Sequence, residues 1–250
     1  MNRKVDNYYR SRGITVGTYL AQDLVKRNIR ALRYVAHAIK HLKHVKGVQH
    51  LLSELAHITD DSGSDQQTKI TRYREYHNKL MELHGMFFVN QQLGFLIKEV
   101  ESFHSKVIAP NRIGNKSCDL CACNGQNIFY FEAKDASSEI TSQYEQNGFT
   151  YYEPMSEEKI SIWITEKCSE AIEKGANYLC CRVPMWMSPD EDKRPGKYFR
   201  WAKTVYPDLQ KIAPNEFQVS LQLEYIPSFF KGFYIIKSWG YLKFSVVPQT

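Results

Sequence analysis

The 250-residue chain has no run of about 18 apolar residues, so a membrane-spanning helix is not expected. Its opening residues, Met1-Asn2-Arg3-Lys4-Val5-Asp6, lack the apolar stretch of a secretory signal, and a cytoplasmic protein is the expectation. Internal repeats and long low-complexity segments are absent as well. Cysteine is sparse: six residues, at 118, 121, 123, 168, 180 and 181. Cys118-x2-Cys121-x-Cys123 lacks the two separated Cys or His pairs of a structural zinc site, and all three thiols fall in one apolar segment. Buried, reduced thiols are the simpler expectation, with a thiolate-metal module as the competing one. Acid is scarce in the first fifth of the chain, where eleven Lys and Arg face only Asp6 and Asp23. That segment carries +9 against +6 for the whole chain, so the remainder is slightly acidic. Such a concentration suits a polyanion, although a solvated helix face has the same composition.

What is present begins with helical periodicity. Leu20, Leu24, Ile29, Leu32, Val35, Ile39 and Leu42 recur near helical spacing and predict a helix from Thr15 to about Lys46. Within it Lys26, Arg27, Arg30 and Arg33 form a candidate phosphate-binding stripe. Gly47 interrupts, and Val48 to Ile58 reads as a second helix. Residues 1–60 are thus a basic helical region, followed by a polar linker at 60–65 and a core domain over 67–250. A long helix is expected from about Thr68 to Gln92, stopped by Gly94, and a strand over 95–103. The stretch 104–116 reads as a loop, and 135–155 as irregular. Ser156-Glu157-Glu158 opens another helix with a capping serine, and 177–183 is a buried strand up to Pro184. Beyond it, Pro189 to Pro195 reads as a charged loop and Tyr198 to Ile212 as helical. Further strands are expected at 217–225 and 233–247, with a hairpin at Trp239-Gly240.

The chemistry concentrates in residues 117–134. Strands over 118–123 and 127–133 flank Asn124-Gly125, a dipeptide that closes β-hairpins. Alternation puts Tyr130, Glu132 and Lys134 on one face and Phe129, Phe131 and Ala133 on the other, with Asp119 across the ladder from Glu132. Two carboxylates beside an amine are costly at the end of a buried hairpin unless a cation joins them. A divalent metal is therefore expected.

Taken together, Glu82 in the leading helix, the Leu93-Gly94-Phe95 step, Asp119 and Glu132-Ala133-Lys134 resemble the PD-(D/E)xK nuclease superfamily. The similarity covers about residues 75–183. Cys118 stands where the motif has Pro, and the Gln-x-x-x-Tyr run of RecB-like members is not cleanly present around Gln143, Gln146, Tyr151 and Tyr152. The resemblance implies an α/β (α+β) chain with a restriction-endonuclease-like αβββαβ core and mixed sheet. It implies Mg²⁺, with Mn²⁺ as a substitute, held by Asp119, Glu132, the Ala133 carbonyl and Glu82. Lys134 would then orient the attacking water or stabilise charge on phosphorus. The expected activity is a DNA endonuclease of type II restriction or defence kind, acting as a homodimer, with a cognate methyltransferase as a possible partner.

Several readings stay open at this level. A junction resolvase or mobile-element nuclease fits the same residues, as does an inactive nucleic-acid-binding protein on the same fold. Glu99 or Glu101 can replace Glu82 as the extra carboxylate, and Glu75 shares its helix; His84 and His104 are candidate auxiliary bases. Arg112 and Lys116, in the loop before Asp119, are candidate backbone contacts, and 192–206 is a candidate base-reading segment.

Overall fold

A computed structural model describes residues 1–59, 65–136, 142–146, 149–153, 156–183, 197–237 and 240–248. Helices α1 (Asn2–Arg10), α2 (Thr18–Val25), α3 (Ile29–His37), α4 (Val48–His57) and α5 (Gln66–Phe87) come first. Strands β1 (Leu96–Val100), β2 (Leu120–Asn124) and β3 (Asn127–Asp135) follow, then the separate pair β4 (Ser142–Gln146) and β5 (Phe149–Glu153). The chain continues through α6 (Glu157–Glu173), β6 (Tyr178–Arg182), α7 (Lys197–Val205), β7 (Gln210–Ala213), β8 (Glu216–Leu221), β9 (Gly232–Lys237) and β10 (Gly240–Pro248). Among the described residues no helix is long and apolar enough to cross a membrane.

The fold is mixed α/β. Eight strands form one sheet in the order β1-β2-β3-β6-β9-β10-β8-β7. The first three are antiparallel neighbours, and β3, β6 and β9 run parallel. The helix α6 between β3 and β6 makes that parallel pairing possible, because parallel neighbours need a crossover. Alternating side chains feed two cores. Leu120, Ala122, Phe131, Ala133, Cys180, Tyr234 and Ile236 face α5 and the N-terminal helices. Leu179, Cys181, Phe233, Ile235 and Phe244 face α6 and α7. Gly85 sets how closely α5 approaches the hairpin, since a Cβ there would stand 3.3 Å from Ala133 Cβ.

The structure differs from expectation in four places. The helix expected over Thr15–Lys46 is broken at Lys26–Asn28, where Arg27 adopts φ 52° and Asn28 caps α3 through the Ala31 N–H. Lys26, Arg27, Arg30 and Arg33 therefore do not form one helical stripe. An additional helix, α1, precedes them. The stretch expected to be irregular holds β4 and β5, and the helix expected over 198–212 ends at Val205, with Gln210–Ala213 forming a strand. The N-terminal helices also share one apolar cluster with α5 and the sheet, in which Leu32, Leu52 and Leu55 join Phe88, Ile97 and Phe131. The expected 189–195 loop, most of the 60–65 linker, the start of the 192–206 segment and Trp239 lie outside the described residues.

Candidate active site

The β2–β3 hairpin turns at Gly125, whose φ of 61° suits a residue without a Cβ. Its register sets Leu120 opposite Phe131, where the ladder ends, so Asp119 lies just outside β2 and not within the strand expected from 118. The chain bends at Asp119, and there the carboxylate takes over from the backbone: Oδ2 accepts the Ala133 N–H at 2.6 Å. Phe131 and Ala133 pack toward α5, so alternation sends Glu132 and Lys134 to the opposite face. Glu132 is wholly buried and Asp119 is 6% exposed.

Two ammonium groups meet at Glu132. Lys134 Nζ and Lys174 Nζ each lie 2.5 Å from Glu132 Oε1. Lys174 was not singled out by the sequence. Its only local signal is a cation at the C-terminal end of a helix, where the dipole favours it, and nothing local says that this end abuts the hairpin. Glu82 arrives from α5, 12% exposed, with Lys79 Nζ 3.2 Å away; Lys79 also pairs with Glu54 of α4 at 3.0 Å.

These groups feel one another. Burial, then the Asp119 charge, pushes Glu82 up to about 8, with Lys79 pulling the other way. Burial and Asp119 likewise push Glu132 up to about 7 against Lys134 and Lys174. Burial disfavours the Lys134 ammonium, but Asp119 and Glu132 outweigh it and hold the pKa above its usual value. Glu132 and Lys134 are in direct contact, Asp119 holds the Ala133 N–H between them, and Glu82 feels the charges of Asp119 and Lys134.

Whether the set suits a metal turns on its oxygens. Glu132 Oε2 and Glu82 Oε2 are buried and meet no hydrogen-bond donor among the described residues. A carboxylate oxygen taken from water without a partner is costly, and a hard cation satisfies it. Among the described residues, no three His, Cys, Asp or Glu side chains form a ready-made metal-holding group. The reason is visible in the contacts: Asp119 spends one oxygen on a backbone N–H, and the charges facing Glu132 are lysines. Glu82, Asp119 and Glu132 are the carboxylates from which a hard cation would draw its ligands.

The other candidates are placed elsewhere. Glu99 pairs with Lys46 at 2.5 Å and accepts from Ser105, while Glu101 accepts from Ser117 and Lys106. Glu75 pairs with Arg72 at 2.8 Å. His84 is buried and stacked on Tyr34, with ring centroids 4.1 Å apart, and His104 lies against His50. Arg112 folds back onto the carbonyls of Ala109 and Gly114, and Lys116 pairs with Glu173. Lys26, Arg27 and Arg30 are exposed, whereas Arg33 is half-buried over the Phe87 ring at 4.5 Å. Burial and the nearby Glu132 and Asp119 raise the Cys118 thiol, and burial raises Cys121 to about 11, so thiolates are disfavoured.

The raised carboxylates make stability depend on pH. Below about pH 4.5 folded and unfolded chains both hold the Glu82 and Glu132 protons. As pH rises, the unfolded chain releases them first, so stability is lost through pH 7 to 8. Burial lowers His37 to about 4, His84 to about 3 and His77 as well, and those gains continue to about pH 7.5, where the unfolded imidazoles have lost their protons, so they offset part of the fall. Between pH 6.5 and 8.5 the metal-free protein is expected to lose roughly 2 kcal/mol, about 6 °C in Tm. Glu82→Gln should flatten that fall in a thermal denaturation series; an unchanged slope would place the titration elsewhere. No protein-family model, no curated protein and no solved structure matches this chain.

Proposed function

We propose that the chain is a Mg²⁺-dependent DNA endonuclease built on a restriction-endonuclease-like αβββαβ core, spanning α5 through β6. The observation that carries this reading is the gathering of Glu82, Asp119, Glu132 and Lys134 from α5, the bend before β2, and β3, with mutual charge effects among them.

A phosphodiester repels an incoming nucleophile, so its hydrolysis needs charge neutralisation and an activated water. Asp119, Glu132, Glu82 and the Ala133 carbonyl are the oxygen donors that would hold Mg²⁺ or Mn²⁺. The bound ion would supply Lewis-acid charge and an acidified water. The chain's own cations do the rest. Lys134, kept protonated by its acidic neighbours, orients the nucleophilic water or stabilises charge growing on phosphorus. Lys174, equally close to Glu132, offers a second ammonium for the non-bridging or leaving oxygen. An inactive binding protein on the same fold is disfavoured, since a lapsed site has no reason to retain three buried or half-buried charges at this cost.

The exposed Lys26, Arg27 and Arg30 flank the α2–α3 turn, which Asp23 ties to Tyr76 of α5 through a 2.6 Å hydrogen bond. Tyr76 precedes Glu82 by six residues, roughly 9 Å along the helix axis. In this reading those exposed cations would hold backbone phosphates of the substrate, and cutting both strands of a duplex would call for a homodimer.

Plasmid, linear duplex and single-stranded DNA incubated with and without Mg²⁺ or Mn²⁺ test this. Cleavage only with metal is expected. Discrete products would mark a restriction enzyme, and intact DNA under every condition would leave the binding-only reading.

A further inference from the structure

Between α4, the start of α5 and the loop after β1 lies a cavity of about 400 Å³. Its lining includes His50, Glu54, His57, Arg72, Phe103 and His104. From these residues we infer that the cavity receives one unpaired nucleobase beside the scissile phosphate, so that the substrate strand is single-stranded at the cleavage point. The inference rests on the nuclease reading above and specifies its substrate.

Phe103 is the first reason. It is 83% exposed, an unusual cost for a large apolar ring unless something covers it. Its backbone is nevertheless fixed, because the Phe103 N–H donates to Glu54 Oε1 at 2.6 Å. The ring meets His104 at right angles, with centroids 5.0 Å apart, and is otherwise largely open to solvent, which suits a stacking platform; base–aromatic stacking is the usual grip on an unpaired strand. His50 and His104, 4.5 Å apart and tilted, add flat polar rings beside it.

Charge identifies the occupant as a base rather than a phosphate. Arg72 is paired with Glu75 at 2.8 Å, and Glu54 with Lys79 at 3.0 Å, so the cavity's fixed charges are balanced. The remaining polar groups are imidazoles and hydroxyls, which suit the edge of a neutral heterocycle. A volume of this size lies at the lower end of the range for small-ligand pockets.

Position is the second reason. Glu54 links the cavity to the site through Lys79, which bridges to Glu82 at 3.2 Å. On the other side the Glu101 N–H donates to the Asp119 carbonyl at 2.7 Å, only two residues before Phe103. Two residues span at most roughly 7 Å, so the backbone that carries the stacking ring runs close to the backbone of Asp119.

The test is binding of a 12-nucleotide single-stranded DNA containing one 2-aminopurine, measured by its fluorescence in EDTA, where no cleavage occurs. Wild-type protein is expected to quench the probe by stacking. Phe103→Ala should bind about tenfold more weakly and lose the quenching, and Phe103→Tyr should restore both. A fully duplexed probe should show little difference between the variants. Unchanged affinity and quenching in Phe103→Ala would overturn the inference. A cleavage assay on the wild type keeps the two proposals apart: quenching without any metal-dependent cleavage would retain the base pocket and reject the nuclease.

Discussion

Lys134→Met is expected to lower metal-dependent DNA cleavage by at least about a thousandfold, with DNA affinity changed no more than about threefold. Methionine keeps much of the unbranched stem and removes only the ammonium 2.5 Å from Glu132. That ammonium is held charged by Asp119 and Glu132 despite burial, which is the state the proposed role in phosphodiester hydrolysis requires. Its loss also removes one of the two cations that restrain Glu132, whose proton should then bind more tightly. Metal affinity at neutral pH should fall as a secondary effect. Lys174→Met, which removes the other partner of Glu132, separates the roles. A cost of about tenfold is expected there if Lys174 only balances charge. Plasmid cleavage rates beside filter-binding affinities decide the matter, and a Lys134→Met protein that still cuts would remove this residue from the chemistry.

Asp119 has two functions that substitution can pull apart. Its carboxylate is both a metal-donor candidate and the acceptor for the Ala133 N–H at 2.6 Å. Asp119→Ala leaves that buried donor unsatisfied, at a cost of about 1–3 kcal/mol, and should reduce cleavage to background. Asp119→Asn retains an acceptor oxygen and should recover most of the stability but none of the activity. It also removes the negative charge that helps raise Glu82 and Glu132, so their alkaline loss of stability should become shallower. Thermal denaturation, cleavage and Mn²⁺ titration on the two variants give three independent readings. Substantial Mg²⁺-dependent cleavage by Asp119→Asn would show that its charge is not needed.

The hairpin was legible because its determinants are local. Asn124-Gly125 turns the chain, and a two-residue period then fixes which of Tyr130, Phe131, Glu132, Ala133 and Lys134 share a face. Apart from β4 and β5, the order from α5 to β6 was readable for the same reason, as were the stop near Gly94 and the Ser156 cap, whose hydroxyl accepts the Lys159 N–H. Misreadings fell where helical periodicity carries through a break. The apolar spacing across α2 and α3 hides the turn at Arg27, which left-handed geometry inserts without disturbing either buried face.

By itself the sequence determined the mixed strand-and-helix character and the hairpin register, since turn chemistry and side-chain alternation act over a few residues. Only the tertiary structure decided that Glu82 faces Asp119 while Glu99 is turned to Lys46. It alone set Lys174 against a glutamate 42 residues away, and Phe103 beside Glu54 of a distant helix. Those approaches depend on how α4, α5 and α6 close over the sheet, which is a property of packed volumes and buried charge rather than of any local spacing.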